Sequence, residues 1–359
     1  MKKLSRQTRK GFLNYGIVLA FFVVFQILSA TGHITNSLRG QLVPIVVYMI
    51  MALSLNLVVG ISGELSLGHA GFMSVGAFTG VIVSGILQNA VPSGGVRLLI
   101  AIVIGAIFAG VVGFLIGIPV LRLNGDYLAI VTLAFGEIIK NLLNILYVGV
   151  DRHGLHFSLK DAESLHLEAD GKTILNGPMG ALGTQKIATF FSGIVLLLIV
   201  LFIIQNMVAS RAGRAIMALR DNRIAGEACG LSVTRYKMTA FVTSAAIAGA
   251  AGALYGLNYS TIVPKKFDFN TSILILVFVV LGGIGNLTGS LIAAAILTVL
   301  PELLRTFQDY RMLLYAIVLI LVMIITNNEK ARTFVNTQWR KLKKRLRPEH
   351  KGKEGMENE

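Results

Sequence analysis

The sequence predicts an all-α polytopic membrane protein with about ten transmembrane helices. Three observations lead to this fold class: hydrophobic residues make up 54% of the 359 residues, charged residues make up only 14%, and the mean hydropathy is +0.72. About a quarter of the residues of a soluble protein are charged, and a soluble core could not hide this much apolar surface. The single cysteine, Cys229, excludes an internal disulfide framework.

Seven apolar segments are each close to the roughly 20 residues that a helix needs to cross the hydrocarbon. They lie near 12–30, 41–60, 68–88, 97–121, 127–148, 187–209 and 238–260. The first follows a basic stretch but has no convincing A-x-A cleavage site, so we interpret it as an uncleaved anchor. A further apolar stretch, 271–304, is too long for one helix and is interrupted by glycines. We divide it into two spans, 288–304 and the shorter 271–284, which could be tilted or re-entrant. With a last span at 311–327, the predicted number of membrane crossings is ten.

The net charge of +15 is distributed in a way that indicates membrane topology rather than nucleic-acid binding. Segment 210–237 contains six basic and two acidic residues, and ten basic residues follow Asn328. Segment 149–186 contains four basic and five acidic residues. Because basic loops stay on the cytoplasmic side, we expect a cytoplasmic N-terminus (1–11), a transmembrane domain (12–327) and a cytoplasmic tail (328–359). Within the domain, 210–237 is cytoplasmic and 149–186 extracytoplasmic.

Two glycine-rich breaks interrupt the apolar segments. GISGELS at 60–66 and GGIGNLT at 282–288 share the pattern G-x-x-G-[E/N]-L-[S/T]. Broken spans in transporters often mark the substrate path, because unwound backbone is tolerated only beside a cavity. Tight turns between spans explain the glycines equally well. If the breaks do line a path, the candidate residues are Ser62, Glu64, Ser66, His69 and Asn286.

Other residues inside the spans have simpler interpretations. Glycines four residues apart favour close helix packing: Gly76/Gly80, Gly113/Gly117 and Gly252/Gly256. Glu137 and Lys140 lie one helical turn apart, so they can pair with each other on one face. A proton or substrate relay is the functional alternative for that pair.

The segment between the sixth and seventh apolar stretches predicts a short amphipathic helix, a turn and a second stretch that ends at Gly230. Its apolar positions are Ile216, Leu219, Ile224 and Cys229. Such a helix could lie on the membrane surface or dock a cytosolic partner. The acidic residues Asp221 and Glu227 favour docking, because a helix that only binds lipid does not need them.

Five stretches of the sequence occur together: LNLVVGISGELSLGHAGF at 55–72, LRLNGDYLAIVTLAFGEI at 121–138, the 210–256 block, GGIGNLTG at 282–289 and LPELLR at 300–305. With them the chain resembles, over about residues 42–327, the LivM-type permease subunits of branched-chain amino-acid ABC transporters. The chain departs from the family at Glu64, where glutamine is frequent. Residues 150–172 look like an insertion, and NGPMG at 176–180 keeps only part of the family's glycine-proline pattern.

The resemblance implies a type II importer-like fold in the bacterial plasma membrane, with both termini cytoplasmic. It implies a paralogous permease partner, two cytosolic ATPase subunits and an extracytoplasmic amino-acid-binding protein. The partner ATPases hydrolyse ATP, so this chain binds no cofactor or metal and is a transport subunit rather than an enzyme. The loop between the sixth and seventh helices contacts the ATPases in that family. The expected coupling residues are Arg214, Arg220, Asp221, Glu227 and Gly230.

Three alternatives remain at this stage. A permease for urea or short amides belongs to the same family, and small polar residues such as Ser62 would suit either substrate. An ion-coupled secondary transporter needs an ionisable site inside the membrane, for which Glu137 and Lys140 are the candidates. A membrane enzyme would need a nucleophile and a base in one cavity; Ser66 and His69 are near each other, but no third orienting group is evident.

Overall fold

The computed structural model describes residues 6–31, 36–123, 125–151, 153–167, 171–304 and 310–327. The described part of the chain is mostly helical and contains one small sheet. Its α-helices are α1 (Arg6–Ala30), α2 (Asn36–Asn56), α3 (His69–Ile86), α4 (Gly94–Val120), α5 (Asp126–Asn144), α6 (Phe190–Ala209), α7 (Arg211–Asp221), α8 (Arg223–Ala228), α9 (Val233–Gly256), α10 (Phe269–Gly282), α11 (Leu287–Leu303) and α12 (Arg311–Asn327). A π-helix, Leu57–Ser62, continues α2. The predicted basic tail, 328–359, lies outside the described residues.

Five helices of the described residues are long and apolar enough to cross a membrane. They are Ser37–Ser62, His69–Ile86, Gly94–Val120, Phe190–Ala209 and Val233–Gly256. Two shorter apolar helices are Leu13–Leu28 and Leu287–Leu303. The chain is therefore a multi-pass helical membrane protein. α5 is 19 residues long but contains three charged residues, and α10 has only 14 residues, so the total of ten crossings stays a prediction.

The long apolar stretch after residue 270 is divided where the sequence predicts. α10 ends at Gly282, and Gly283 and Gly285 adopt φ values of +93° and +79° before α11 begins. An L side chain rarely adopts such φ values, so glycine makes this break possible. α12 belongs to a second compact unit that begins at Leu303.

α9 lies at the centre of the first unit, residues 1–302, where it packs against α2, α3 and α4. Glycines bring these helices close together, as predicted. A Cβ atom on Gly76 would lie 2.0 Å from the carbonyl oxygen of Gly249, and one on Gly252 would lie 1.9 Å from that of Met73. In lipid, where apolar side chains gain little by leaving the solvent, such backbone contact is a main source of helix association.

A buried polar cluster also joins three of these helices. The Ser54 hydroxyl on α2 donates to the Ser244 carbonyl on α9 at 2.6 Å, and the Ser244 hydroxyl donates to the Ser54 carbonyl at 2.7 Å. The Nε2 atom of His69, at the start of α3, lies 3.0 Å from the Ser54 hydroxyl. His69, a predicted path residue, is thus hydrogen-bonded between helices in a buried position.

The segment predicted as an extracytoplasmic loop forms most of a five-stranded antiparallel sheet. The strands are β1 (Tyr147–Asp151), β2 (Gly154–Ser158), β3 (Lys172–Asn176), β4 (Ala181–Leu182) and β5 (Thr261–Ile262), in the order β2-β1-β3-β4-β5. The predicted span 127–148 accordingly ends as a helix at Asn144, and its last residues belong to β1. β5 comes from the connection after α9, so the sheet ties two distant parts of the chain together.

We expect the β1–β2 hairpin to loosen only in strong acid. Burial raises the pKa of Asp151, but hydrogen bonds from the His153 and Gly154 amides and from His156 outweigh it, so the net pKa is lowered. A lowered carboxyl pKa contributes stability that is present above the unfolded-state value and lost as pH falls through the folded-state value. Hydroxyl-radical footprinting of β2 should therefore find constant protection from neutral pH to about pH 4 and a loss below it.

Asp151→Asn is the control for this prediction, since it should remove that acid transition. A change in protection between pH 5 and 7 would contradict the assignment to Asp151.

Candidate functional site

The first glycine-rich break is a buried turn between two membrane helices. α2 passes into the π-helix, whose six residues are all buried, and Gly63 follows with a φ of +77°. The amides of Gly63 and Glu64 both donate to the carbonyl of Val58, which closes the end of the helix. α3 begins six residues later, at His69. π-Helical turns are rare and concentrate at functional positions.

The two glycine-rich breaks are in direct contact. Asn56, the last residue of α2, accepts a hydrogen bond from the Gly285 amide at 2.8 Å and donates one to the Ser290 hydroxyl at 2.8 Å. A Cβ atom on Gly60 would lie 2.3 Å from the Gly285 nitrogen, so the contact needs glycine. We call these four residues (Asn56, Gly60, Gly285 and Ser290) the glycine junction.

The amphipathic helix predicted from the sequence lies against this junction. α7 buries Ile216 and Leu219, and Ile216 packs in a cluster with Leu57 and Ile61 of the π-helix and Ala240 of α9. Ser210 caps the helix by accepting a hydrogen bond from the Gly213 amide at 3.1 Å. α7 and both breaks therefore lie at the same end of the helices.

Arg220 links α7 to the junction by a hydrogen bond. Its Nη1 atom donates to the Gly60 carbonyl oxygen at 2.7 Å. Its Nε and Nη2 atoms donate to Oδ1 of Asp221 at 3.0 and 2.8 Å. Both are predicted coupling residues; within the chain they form an intramolecular network, and their contact with an ATPase stays a prediction.

α8 is the more exposed half of the 210–237 segment. Ile224 is 81% exposed and Cys229 is also exposed, so these two apolar positions differ from Ile216 and Leu219, which α7 buries. Glu227 pairs with Arg223 at 3.0 Å on the same surface. Gly230, where the second stretch was predicted to end, follows α8 with a φ of +80°.

Arg214 is the remaining predicted coupling residue, and it points back along the chain. Its Nη1 atom donates to the Ala209 carbonyl at the end of α6, at 2.9 Å. The bond satisfies one of the carbonyls that a helix end leaves unpaired.

Glu64 forms a buried ion pair that sequence reasoning missed. Its carboxylate contacts the Lys237 ammonium of α9, and the two residues are only 7% and 9% exposed. Lys237 was counted among the basic residues of the 210–237 segment, and Glu64 was considered only as a path residue. Each of the two buried charges is therefore neutralised by the other.

The other path candidates differ in burial. Ser62 and Ser66 are buried, and neither hydroxyl has a hydrogen-bond partner among the described residues. Asn286 is exposed in the turn before α11, while Asn56 provides the buried amide at the junction. A polar residue inside an apolar run was the signal that could have identified Asn56. The assignment of these residues to a path stays a prediction.

The structure confirms that Glu137 and Lys140 pair with each other. Their side chains form an ion pair on α5, with the glutamate side chain 36% exposed and the lysine 19%. A mutually satisfied pair three residues apart needs no ion or substrate to neutralise it. The interpretation as a relay loses its main support.

Comparison with known proteins identifies the family. Residues 37–325 match the family described as the branched-chain amino acid transport system / permease component. The chain is 37% identical to the high-affinity branched-chain amino acid transport system permease protein LivM of Salmonella typhimurium over 288 residues, which are 77% of this chain and 66% of that protein. It is also 37% identical to the LivM protein of Escherichia coli over 330 residues, which are 89% and 74% of the two chains.

A shorter match is to the LivH permease protein of Salmonella typhimurium, with 32% identity over 118 residues, 32% of this chain and 38% of that one. The match to the LivM protein of Salmonella typhimurium covers about two thirds of the length of that protein. No solved structure gave a significant match. With most of its length matched, the chain belongs to the branched-chain amino acid transport system / permease component family.

Proposed function

We propose that this chain is the membrane-spanning permease subunit of an ATP-driven importer for branched-chain amino acids. The observation that carries the proposal is the family match over residues 37–325, together with relatives named as branched-chain amino acid permeases. An amphipathic segment packed against the broken membrane helices is the structural feature such a subunit needs to respond to an external motor.

The assembly we propose contains a paralogous permease, two cytosolic ATPases and an extracytoplasmic amino-acid-binding protein. The partial match to LivH supports the paralogous partner. ATP is hydrolysed by the partner subunits, and this chain supplies no cofactor site. Specificity for the substrate then resides largely in the binding protein, which leaves the permease to provide a compact polar route.

The proposed topology has ten crossings with both termini in the cytoplasm. α7 and α8 then face the cytoplasm, and the five-stranded sheet faces outward. The excess of basic residues in 210–237 supports this orientation. α8 presents an exposed apolar side chain, Ile224, beside the charged pair of Arg223 and Glu227. Apolar anchors surrounded by charges are typical of protein-docking surfaces.

The alternative functions have weaker support. Relatives that transport urea or short amides are not among the matches described above. An ion-coupled transporter would depend on Glu137 and Lys140, which neutralise each other. A membrane enzyme would depend on Ser66 and His69, but the Ser66 hydroxyl has no hydrogen-bond partner among the described residues, and His69 Nε2 lies 3.0 Å from the Ser54 hydroxyl instead.

Recovery of the ATPases with the tagged chain tests this proposal. We expect mild cross-linking in native membranes, followed by purification, to recover ATPase subunits and a second permease. Glu227→Arg should reduce ATPase recovery about tenfold or more, because it reverses a charge at the docking surface and places it beside Arg223.

The matched control is Glu163→Arg, which makes the same change at an exposed position of the sheet region. It should leave ATPase recovery unchanged. Purification of the chain without any ATPase, or equal loss with both variants, would contradict the proposed docking surface.

A further inference from the structure

We propose that Arg220 is a transmission residue, which carries movement of α7 to the glycine junction through the Gly60 carbonyl. The inference rests on the proposed function and assigns Arg220 a role distinct from docking. An ATPase that moves α7 would, through this hydrogen bond, displace the backbone of the π-helix that continues α2.

The hydrogen bonds of Arg220 are directed into the chain. Nη1 bonds to Gly60, and Nε and Nη2 both bond to Asp221, the next residue. Asp221 therefore holds the planar guanidinium in the orientation that the Gly60 bond needs. A charge-assisted bond of this kind is about twice as strong as a neutral one, so it can transmit a displacement.

The acceptor is well suited to this role. The carbonyl of Gly60 belongs to the last turn of the π-helix, where carbonyl groups have no partner within the helix. The same glycine contacts Gly285 closely, and Asn56 bonds the Gly285 amide. A displacement of Gly60 would therefore be transmitted to the break between α10 and α11 as well as to the break between α2 and α3.

Glycines at the two breaks allow the backbone to turn. Gly63, Gly283 and Gly285 all have positive φ values, and none has a side chain that would resist rotation. Gly63 also leaves the space that Arg220 occupies: a Cβ atom there would lie 2.6 Å from Cγ of Arg220. The position of the arginine therefore depends on this glycine.

The test compares ATP hydrolysis with transport in the whole importer, purified with its ATPases and reconstituted with the binding protein. Arg220→Gln removes the charge and most of the donors. We expect the ATPases to co-purify and to hydrolyse ATP, while leucine taken up per ATP hydrolysed falls about tenfold, a typical size for coupling between sites. Arg211→Gln is the matched control, because it removes the same charge from an exposed position of α7 and should leave the ratio unchanged.

Gly63→Ala gives a second test that keeps the charge of Arg220. Its methyl group should displace the arginine side chain and lower the amount of leucine taken up per ATP hydrolysed.

Two results would overturn the proposal. One is an unchanged ratio of uptake to ATP hydrolysis in both variants. The other is loss of folded protein with Arg220→Gln, which would mark the residue as structural. Loss of the ATPases from Arg220→Gln, as expected for Glu227→Arg, would assign Arg220 to docking. Absence of ATPases from the wild-type complex would instead refute the proposed function.

Discussion

Gly252→Ala is expected to destabilise the protein more than the same change at Gly249 or Gly256, the other two glycines of α9. The added Cβ would lie 1.9 Å from the Met73 carbonyl oxygen and 2.9 Å from the Ala77 amide nitrogen on α3. Both are backbone atoms, so no side-chain rotation can relieve the overlap, and α3 and α9 must separate. Overpacking typically costs about 1–3 kcal/mol, and we expect the upper end here. Thermal unfolding in detergent, with the yield of monodisperse protein, measures the effect.

The control is Gly95→Ala in the first turn of α4, where a Cβ would meet no atom within 4 Å. It should be as stable as the wild type or slightly more stable, because alanine lowers the entropy of the unfolded chain. A Gly252→Ala protein with the wild-type midpoint would contradict the close approach of α3 and α9.

Removing one partner of the Glu64–Lys237 pair is expected to have the other large effect. Glu64→Leu leaves the Lys237 ammonium buried without its counter-charge, and breaking a buried pair in this way costs about 3–5 kcal/mol. The wild-type pair itself pays for desolvation, so its net contribution is smaller than that figure. The midpoint of thermal unfolding should fall accordingly.

The double variant Glu64→Leu/Lys237→Met distinguishes the stability lost by leaving a buried charge unpaired from the stability lost by replacing the Glu64 side chain itself. It removes both charges and keeps apolar volume, so it should recover most of the stability lost by the single variant. Glu64→Leu with wild-type stability would refute the buried pair, and a double variant less stable than the single one would refute its energetic account.

Features set by local sequence were predictable. Continuous apolar runs predicted α2, α3, α4, α6 and α9, because crossing a bilayer requires a fixed length of apolar helix. Alternating charged and apolar residues predicted α7, and glycines predicted the division after residue 282. Each of these signals lies within a window of a few helical turns.

Features that depend on distant contacts were not predictable. Glu64 and Lys237 come from segments far apart in the chain, and nothing in either segment indicates that they meet. The contact between Gly60 and Gly285, and the hydrogen bond of Arg220 to Gly60, depend in the same way on how the helices pack. The sheet was missed because its strands are short and β5 follows β4 only after two intervening membrane helices and the α7–α8 segment.

The energy source for uptake tests the central claim most directly. The purified complex in proteoliposomes should accumulate leucine only with ATP and the binding protein, and dissipating the proton gradient should not change the rate. The Glu137→Ala/Lys140→Ala protein should keep this behaviour, reduced at most by altered packing of α5. Uptake that continues without ATP and stops when the proton gradient is dissipated, or that is abolished by this double substitution, would contradict the account of the chain as an ATP-driven importer subunit.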